Sequence, residues 1–97
     1  EVPVVGSWSE EDDFKVARIS PETIKRAVRD LGSSEAVDAV LVACTSLRVA
    51  EIVEELEAEV GKPVISSNHS LAWHCLRLAG YQDAVPGFGK LFRTALA

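Results

Sequence analysis

An apolar run that only Asp38 interrupts, Val37, Ala39, Val40, Leu41, Val42 and Ala43, leads straight into Cys44, Thr45 and Ser46. A strand covered on both faces reads this way, so the chain is expected to build a parallel sheet between helices. Cys44 falls at the carboxyl end of that strand. In open parallel sheets this edge faces the crevice where ligands bind. Thr45 and Ser46 bring hydroxyls to the same edge and, at the start of an expected helix, free backbone N–H groups. Thiols at the positive end of a helix carry more thiolate. These residues therefore suit a reactive cysteine. They also suit a buried structural cysteine in a small α/β domain, because cysteine is among the most buried residue types.

The chain has 97 residues, which makes one domain at most. Its net charge of −5 is spread along the sequence and argues against nucleic acid or an anionic membrane as a partner. No apolar run approaches the roughly 20 residues that span a bilayer. Cys44 and Cys75 make no disulfide framework, so the expected compartment is the reducing cytoplasm. No Cys/His pair has zinc-site spacing, and adjacent His74 and Cys75 would point in different directions from a helix. There is no methionine, and the sequence opens in a β-branched stretch, EVPVV. The expectation is a piece of a longer protein.

In chain order, residues 1–8 read as a first strand, from Val2, Val4 and Val5. Residues 9–15 read as a solvated acidic loop. Ser20 and Pro21 start a helix whose apolar stripe is Ile24, Ala27, Val28 and Leu31, with Lys25, Arg26 and Arg29 facing out and Gly32 as terminator. After the central strand comes the longest predicted helix, beginning at Ser46. Its stripe is Val49, Ile52, Val53, Leu56 and Val60, its glutamates are expected in solvent, and Gly61 ends it. Val64 and Ile65 make a short third strand. Ser66, Ser67 and Asn68 stand at its carboxyl end, on the same sheet edge as Cys44, and one of them caps the next helix. That helix carries an apolar stripe of Leu71, Ala72, Cys75, Leu76 and Ala79. A loop with Pro86, Gly87 and Gly89 precedes a last amphipathic helix with Phe88, Leu91, Phe92, Ala95 and Leu96. The alternation predicts an α/β fold, a parallel sheet of three to four strands flanked by helices.

Three stretches resemble the second half of the maleate cis–trans isomerase family. That family is related to ectoine-utilisation proteins, arylmalonate decarboxylases and the aspartate/glutamate racemase superfamily. ACTSLR at 43–48 is similar to the family's ACTNLR. GKPVISSNHSLAWHCLRLAG at 61–80 is similar to GKPVxSSNQALAWHxLRLAG. The segment with EDD and VARISPETI, within 11–24, resembles the opening of the second half. The resemblance implies one lobe of a two-lobed, pseudo-symmetric racemase-like fold, with residues 1–80 as the C-terminal lobe. Residues 81–97 would be a tail helix packed on a missing N-terminal lobe or a partner chain.

In such enzymes each lobe gives one cysteine to a shared cleft and no cofactor takes part. The resemblance makes Cys44 the proton donor or acceptor on a small dicarboxylate substrate, with maleate to fumarate as the type reaction. An arylmalonate decarboxylase or aspartate/glutamate racemase is the alternative, and a non-catalytic α/β interaction domain the second alternative. Thr45 and Ser46 would bind a substrate carboxylate, although Ser46 departs from the family's Asn. Asn68 lines the same edge as a further substrate-binding candidate. His69 replaces the family's Gln and is expected to face solvent. Trp73 and His74 are read as packing and hydrogen-bonding groups, Cys75 as core, and Arg48 and Arg77 as partners of glutamates. The fragment alone is expected to be inactive, and its free tail face to drive homo-oligomers.

Overall fold

Ser20 and Pro21 start the first long helix as the sequence predicts. In a computed structural model that describes residues 1–96, the Ser20 hydroxyl accepts the Thr23 N–H at 3.1 Å and Pro21 takes the first helical position. Ala97, the last residue of the expected tail unit, lies outside the described residues. This helix, α2 (Pro21–Gly32), follows a single-turn helix, α1 (Asp13–Val16). Asp12 caps α1 by accepting the Phe14 N–H at 2.9 Å, so part of the expected acidic loop is helical.

Ile24 and Val28 of α2 are buried as their spacing predicts. The helix does end at Gly32, but as its last helical residue and without the left-handed φ of a terminating glycine; Ser33, at φ −74°, is the C-cap. A side chain at Gly32 would meet Val40 and Val60 carbons at 3.2 Å, so the glycine lets helix and sheet approach closely.

The central strand is shorter than predicted. β1 (Val40–Val42) pairs in parallel with β2 (Val64–Ser66), in the register Val40 to Val64, Leu41 to Ile65 and Val42 to Ser66. The connection is a 3-10 turn (Ala50–Ile52) running into α3 (Val53–Val60), which Gly61 ends at φ 69°. Val40, Val42 and Val64 pack with Ile24, Val28, Val53 and Leu56 in one core on the side of α2 and α3.

The sheet has two strands among the described residues, fewer than the three to four expected. Residues 1–8 form no strand, and Val2 and Val5 stand exposed. Their β-branched side chains favour extended backbone, but a strand also needs a neighbour to take its hydrogen bonds. Nor is β1 covered on both faces, because Leu41 is 67% exposed. No helix among the described residues is long and apolar enough to cross a membrane.

The next helix, α4 (Ser67–Leu78), reverses the predicted amphipathicity. Its buried residues are His69 and Arg77, each 2% exposed, while Leu71 and Leu78 are 63% and 67% exposed. Cys75, expected in the core, is exposed. The returning tail explains the reversal. Arg77 donates to the carbonyls of Tyr81, Asp83, Phe92 and Thr94 at 2.8–3.1 Å. A loop with few backbone bonds of its own offers many carbonyls, and a guanidinium supplies five donors in a fixed fork. Arg77 therefore serves the tail and not a glutamate.

The expected last helix is a single 3-10 turn (Leu91–Arg93). Phe92 is buried and stacks on the His69 ring, with centroids 5.2 Å apart. Trp73 Nε1 donates to the Thr94 carbonyl at 2.8 Å. Two α3 glutamates expected in solvent hold the tail instead. Glu54 accepts the Gly89 N–H at 2.6 Å and pairs with Arg93, and Glu57 accepts the Lys90 N–H at 2.8 Å. On the other side of α3, Glu55 pairs with Lys25 and Glu59 with Arg29. Lys25 is consequently buried against its partner rather than facing out, and the Glu55 hydrogen bond raises its pKa.

Candidate active site

Cys44 stands two residues past β1, at the carboxyl edge of the sheet, where the sequence predicts it. It is half-buried and packs against the core. It lines a cavity of about 420 Å³ with Ser7, Trp8, Ser9, Glu10, Glu11, Val16, Ile19, Ala43 and Leu47. The wall is thus mixed. Trp8, Val16, Ile19 and Leu47 give an apolar side, and Glu10 and Glu11 bring carboxylates.

The sequence reading missed Trp8, Glu10 and Glu11. Its signals pointed the other way, because an acidic run reads as a solvated face. What brings them in is a sharp turn at Ser9, whose φ is 54°, with the Ser9 N–H bonded to Ser7 Oγ at 2.9 Å. Beyond that turn, Glu10 and Glu11 line the same cavity as Ala43 and Cys44.

The backbone at Cys44 is unusual. Its φ of 122° lies in a region that side-chain-bearing residues rarely adopt. The Cys44 carbonyl accepts the Leu47 N–H at 3.2 Å and closes a turn over Thr45 and Ser46. No helix therefore begins at Ser46, and the N–H groups of Thr45 and Ser46 are not a helix terminus. Asn68 Nδ2 donates to the Thr45 carbonyl at 2.6 Å, and helical structure resumes only at Ala50.

The helix end that does reach Cys44 belongs to α4. The Cys44 N–H donates to Ser67 Oγ at 3.1 Å. Ser66 caps α4 by accepting the His69 N–H, while His69 Nδ1 accepts the Ser66 N–H, both at 3.2 Å. The first-turn N–H groups of Ser67 and Asn68 have no intrahelical partner by helix geometry, and the helix dipole is positive there.

The structure thus gathers Cys44, Thr45, Ser46, Ser67 and Asn68 at one sheet edge. Of the candidates, only Cys44 lines the cavity; Asn68 holds the cysteine turn. His69 is buried and not solvent-facing, and Cys75 lies on the exposed face of α4. No group of three or more His, Cys, Asp or Glu among the described residues could hold a metal ion.

A family model described as arylmalonate decarboxylase matches residues 10–92. The chain belongs to the arylmalonate decarboxylase family. It is 34% identical to the arylmalonate decarboxylase of Bordetella bronchiseptica over 79 residues, which are 79% of this chain and 33% of that protein. It is 35% identical to the maleate isomerase of Nocardia farcinica over 82 residues, which are 84% of this chain and 33% of that protein. The chain spans about a third of the length of these relatives. Among solved structures, unliganded arylmalonate decarboxylase is similar with a TM-score of 0.75 and 28% identity, over 90% of this chain and 39% of that one. A glycine-to-cysteine mutant of arylmalonate decarboxylase, in its sulfate-associated form, gives a TM-score of 0.76 over 90% of this chain and 38% of its own. The α/β architecture is therefore one lobe of the fold of the arylmalonate decarboxylase family, and the family's named members are decarboxylases and isomerases.

Proposed function

We propose that this chain is the C-terminal, cysteine-bearing lobe of a cofactor-independent isomerase acting on a small dicarboxylate, of the maleate-to-fumarate type. The observation that carries the reading is Cys44 itself. It sits at the carboxyl end of β1, at a rarely adopted φ, half-buried against a cavity large enough for a small acid. In this reading the Cys44 S–H gives its proton to the substrate carbon beside the one that a thiolate of the N-terminal lobe has attacked. Cys44 is left as thiolate. Rotation about the resulting single bond and return of the proton to Cys44 expel the attacking sulfur and regenerate the double bond. A positioned donor of this kind typically contributes 10²–10⁴-fold, roughly, to the rate. Thr45 and Ser46, on the turn beside Cys44 and outside the cavity lining, take a substrate carboxylate that reaches past the cavity, through hydroxyl and N–H groups of the turn.

One feature favours a second reading, an arylmalonate decarboxylase. Trp8, Val16, Ile19 and Leu47 make an apolar wall beside Cys44 that suits an aryl group better than a second carboxylate. There Cys44 would protonate the carbanion-like carbon left after loss of carbon dioxide. In either reading the exposed Tyr81, Phe88 and Leu96 are apolar side chains of the tail available to the N-terminal lobe.

The test uses the longer protein that carries this chain. Maleate is added and the olefinic protons are followed by NMR, with Cys44→Ser as control. Fumarate from the parent and none from the variant supports the isomerase. A folded parent that leaves maleate untouched but evolves carbon dioxide from an aryl malonate, with dependence on Cys44, moves the assignment to the decarboxylase.

A further inference from the structure

We propose that Ser67 and Asn68 are positioning residues for Cys44, a role that rests on the reading of Cys44 as the proton-transferring thiol. A residue held in a sparsely populated backbone conformation persists only where its surroundings over-determine it. At Cys44, with φ 122°, two neighbouring residues of α4 supply that restraint. Ser67 Oγ accepts the Cys44 N–H at 3.1 Å and fixes the peptide before the cysteine. Asn68 Nδ2 donates to the Thr45 carbonyl at 2.6 Å and fixes the peptide after Thr45. Each bond reaches across 23 residues of chain, so neither is a local turn contact.

Helix capping does not account for the pair. Ser66 and His69 already form both halves of the cap, which leaves the Ser67 hydroxyl and the Asn68 amide for the cysteine turn. The two bonds bracket Cys44 and hold it at the wall it shares with Trp8, Ile19 and Leu47. Misplacing a reacting group by about 1 Å can lower a rate on the order of a hundredfold, so the bracket matters to turnover through the placement of Cys44.

The experiment uses the longer protein with Cys75→Ser, which removes the exposed second thiol of this chain. Ser67→Ala, Ser67→Thr and Asn68→Asp are compared for kcat, KM, unfolding midpoint and the pH profile of Cys44 alkylation by iodoacetamide, read by peptide mass spectrometry. The expected result is a kcat lower by about tenfold to a hundredfold in Ser67→Ala and Asn68→Asp with KM nearly unchanged. The alkylation profile is altered in both, and Ser67→Thr, which keeps the hydroxyl, is restored in both readouts. Unchanged kcat and alkylation profile with only a lower unfolding midpoint overturns the proposal. If neither maleate nor an aryl malonate turns over while the alkylation profile still shifts, the functional reading fails and the positioning role stands.

Discussion

His69 Nε2 lies 2.9 Å from the Phe88 carbonyl oxygen while its Nδ1 accepts the Ser66 N–H. An accepting Nδ1 puts the ring proton on Nε2, so the imidazole donates to Phe88 and ties the tail to the start of α4. Removing the ring breaks half a helix cap and a buried bond together. His69→Ala is expected to destabilise by about 2–3 kcal/mol, the sum of a cap and one hydrogen bond left unmade. His69→Gln can keep the reach-back half of the cap and should lose less. Urea unfolding midpoints of the two variants provide the check, and equal losses would count against the cap as a separate contribution.

Arg77 makes a second prediction. Its guanidinium satisfies four tail carbonyls from a nearly solvent-free position. Lysine keeps the charge but has three donors and no planar fork. Arg77→Lys and Arg77→Met should both release residues 81–94, at a loss of roughly 2–4 kcal/mol. Limited proteolysis reads this directly, because cuts should move into the tail. A tail as resistant as in the parent would show that the carbonyls find other partners.

Acid should loosen the same tail from its other anchor. The Gly89 N–H, and then Arg93, hold the Glu54 carboxyl below the ordinary carboxylate range. Because its pKa is lower in the folded than in the unfolded chain, Glu54 adds stability that is complete above the unfolded value of about 4.3. That stability is lost as pH falls through the lowered folded value. Denaturation measured at a series of pH values should give parent and Glu54→Gln stabilities that converge below about pH 4.3 and separate above it. Parallel curves would remove Glu54 from the account.

Leu41 on the open sheet face and Leu71 and Leu78 on α4 stand exposed, and apolar surface of this kind associates. The isolated 97-residue chain is expected to sediment as dimers or larger species at high concentration. Replacing Leu71 and Leu78 by lysine should shift it towards monomer. A clean monomer in the parent would exclude these side chains as an association surface.

Much of this arrangement was legible in the residues. The Ser20–Pro21 cap, the valine-rich β1 and Cys44 at its end follow from local propensity and the rule for parallel sheet edges. The family follows from the stretches around Cys44 and Asn68. What could not be read was decided by tertiary partners. Residues 1–8 carry strand propensity but have no strand beside them. The helix expected after Ser46 starts later because Cys44 has a non-helical φ and the chain turns at Thr45 and Ser46, an arrangement held in part by Asn68, 23 residues from Thr45. The inverted α4 was hidden because His69 and Arg77 acquire their burial from tail carbonyls, and no side-chain pattern reports those. One hint was present. His69 stands three residues after Ser66, at the position of the reciprocal partner in a capping box.

The bracket around Cys44 also sets an order of events during synthesis. Chains emerge at about 5–20 residues per second, so the cysteine leaves the ribosome about 1–5 s before its two restraints do. In that interval the turn has neither Ser67 nor Asn68 to hold it, and the thiol belongs to a flexible polymer with ordinary backbone angles. The Cys44 turn is therefore secured only when the first turn of α4 has formed beside it. A nascent chain stalled before Ser67 would carry the cysteine without either of the bonds that hold its backbone in place.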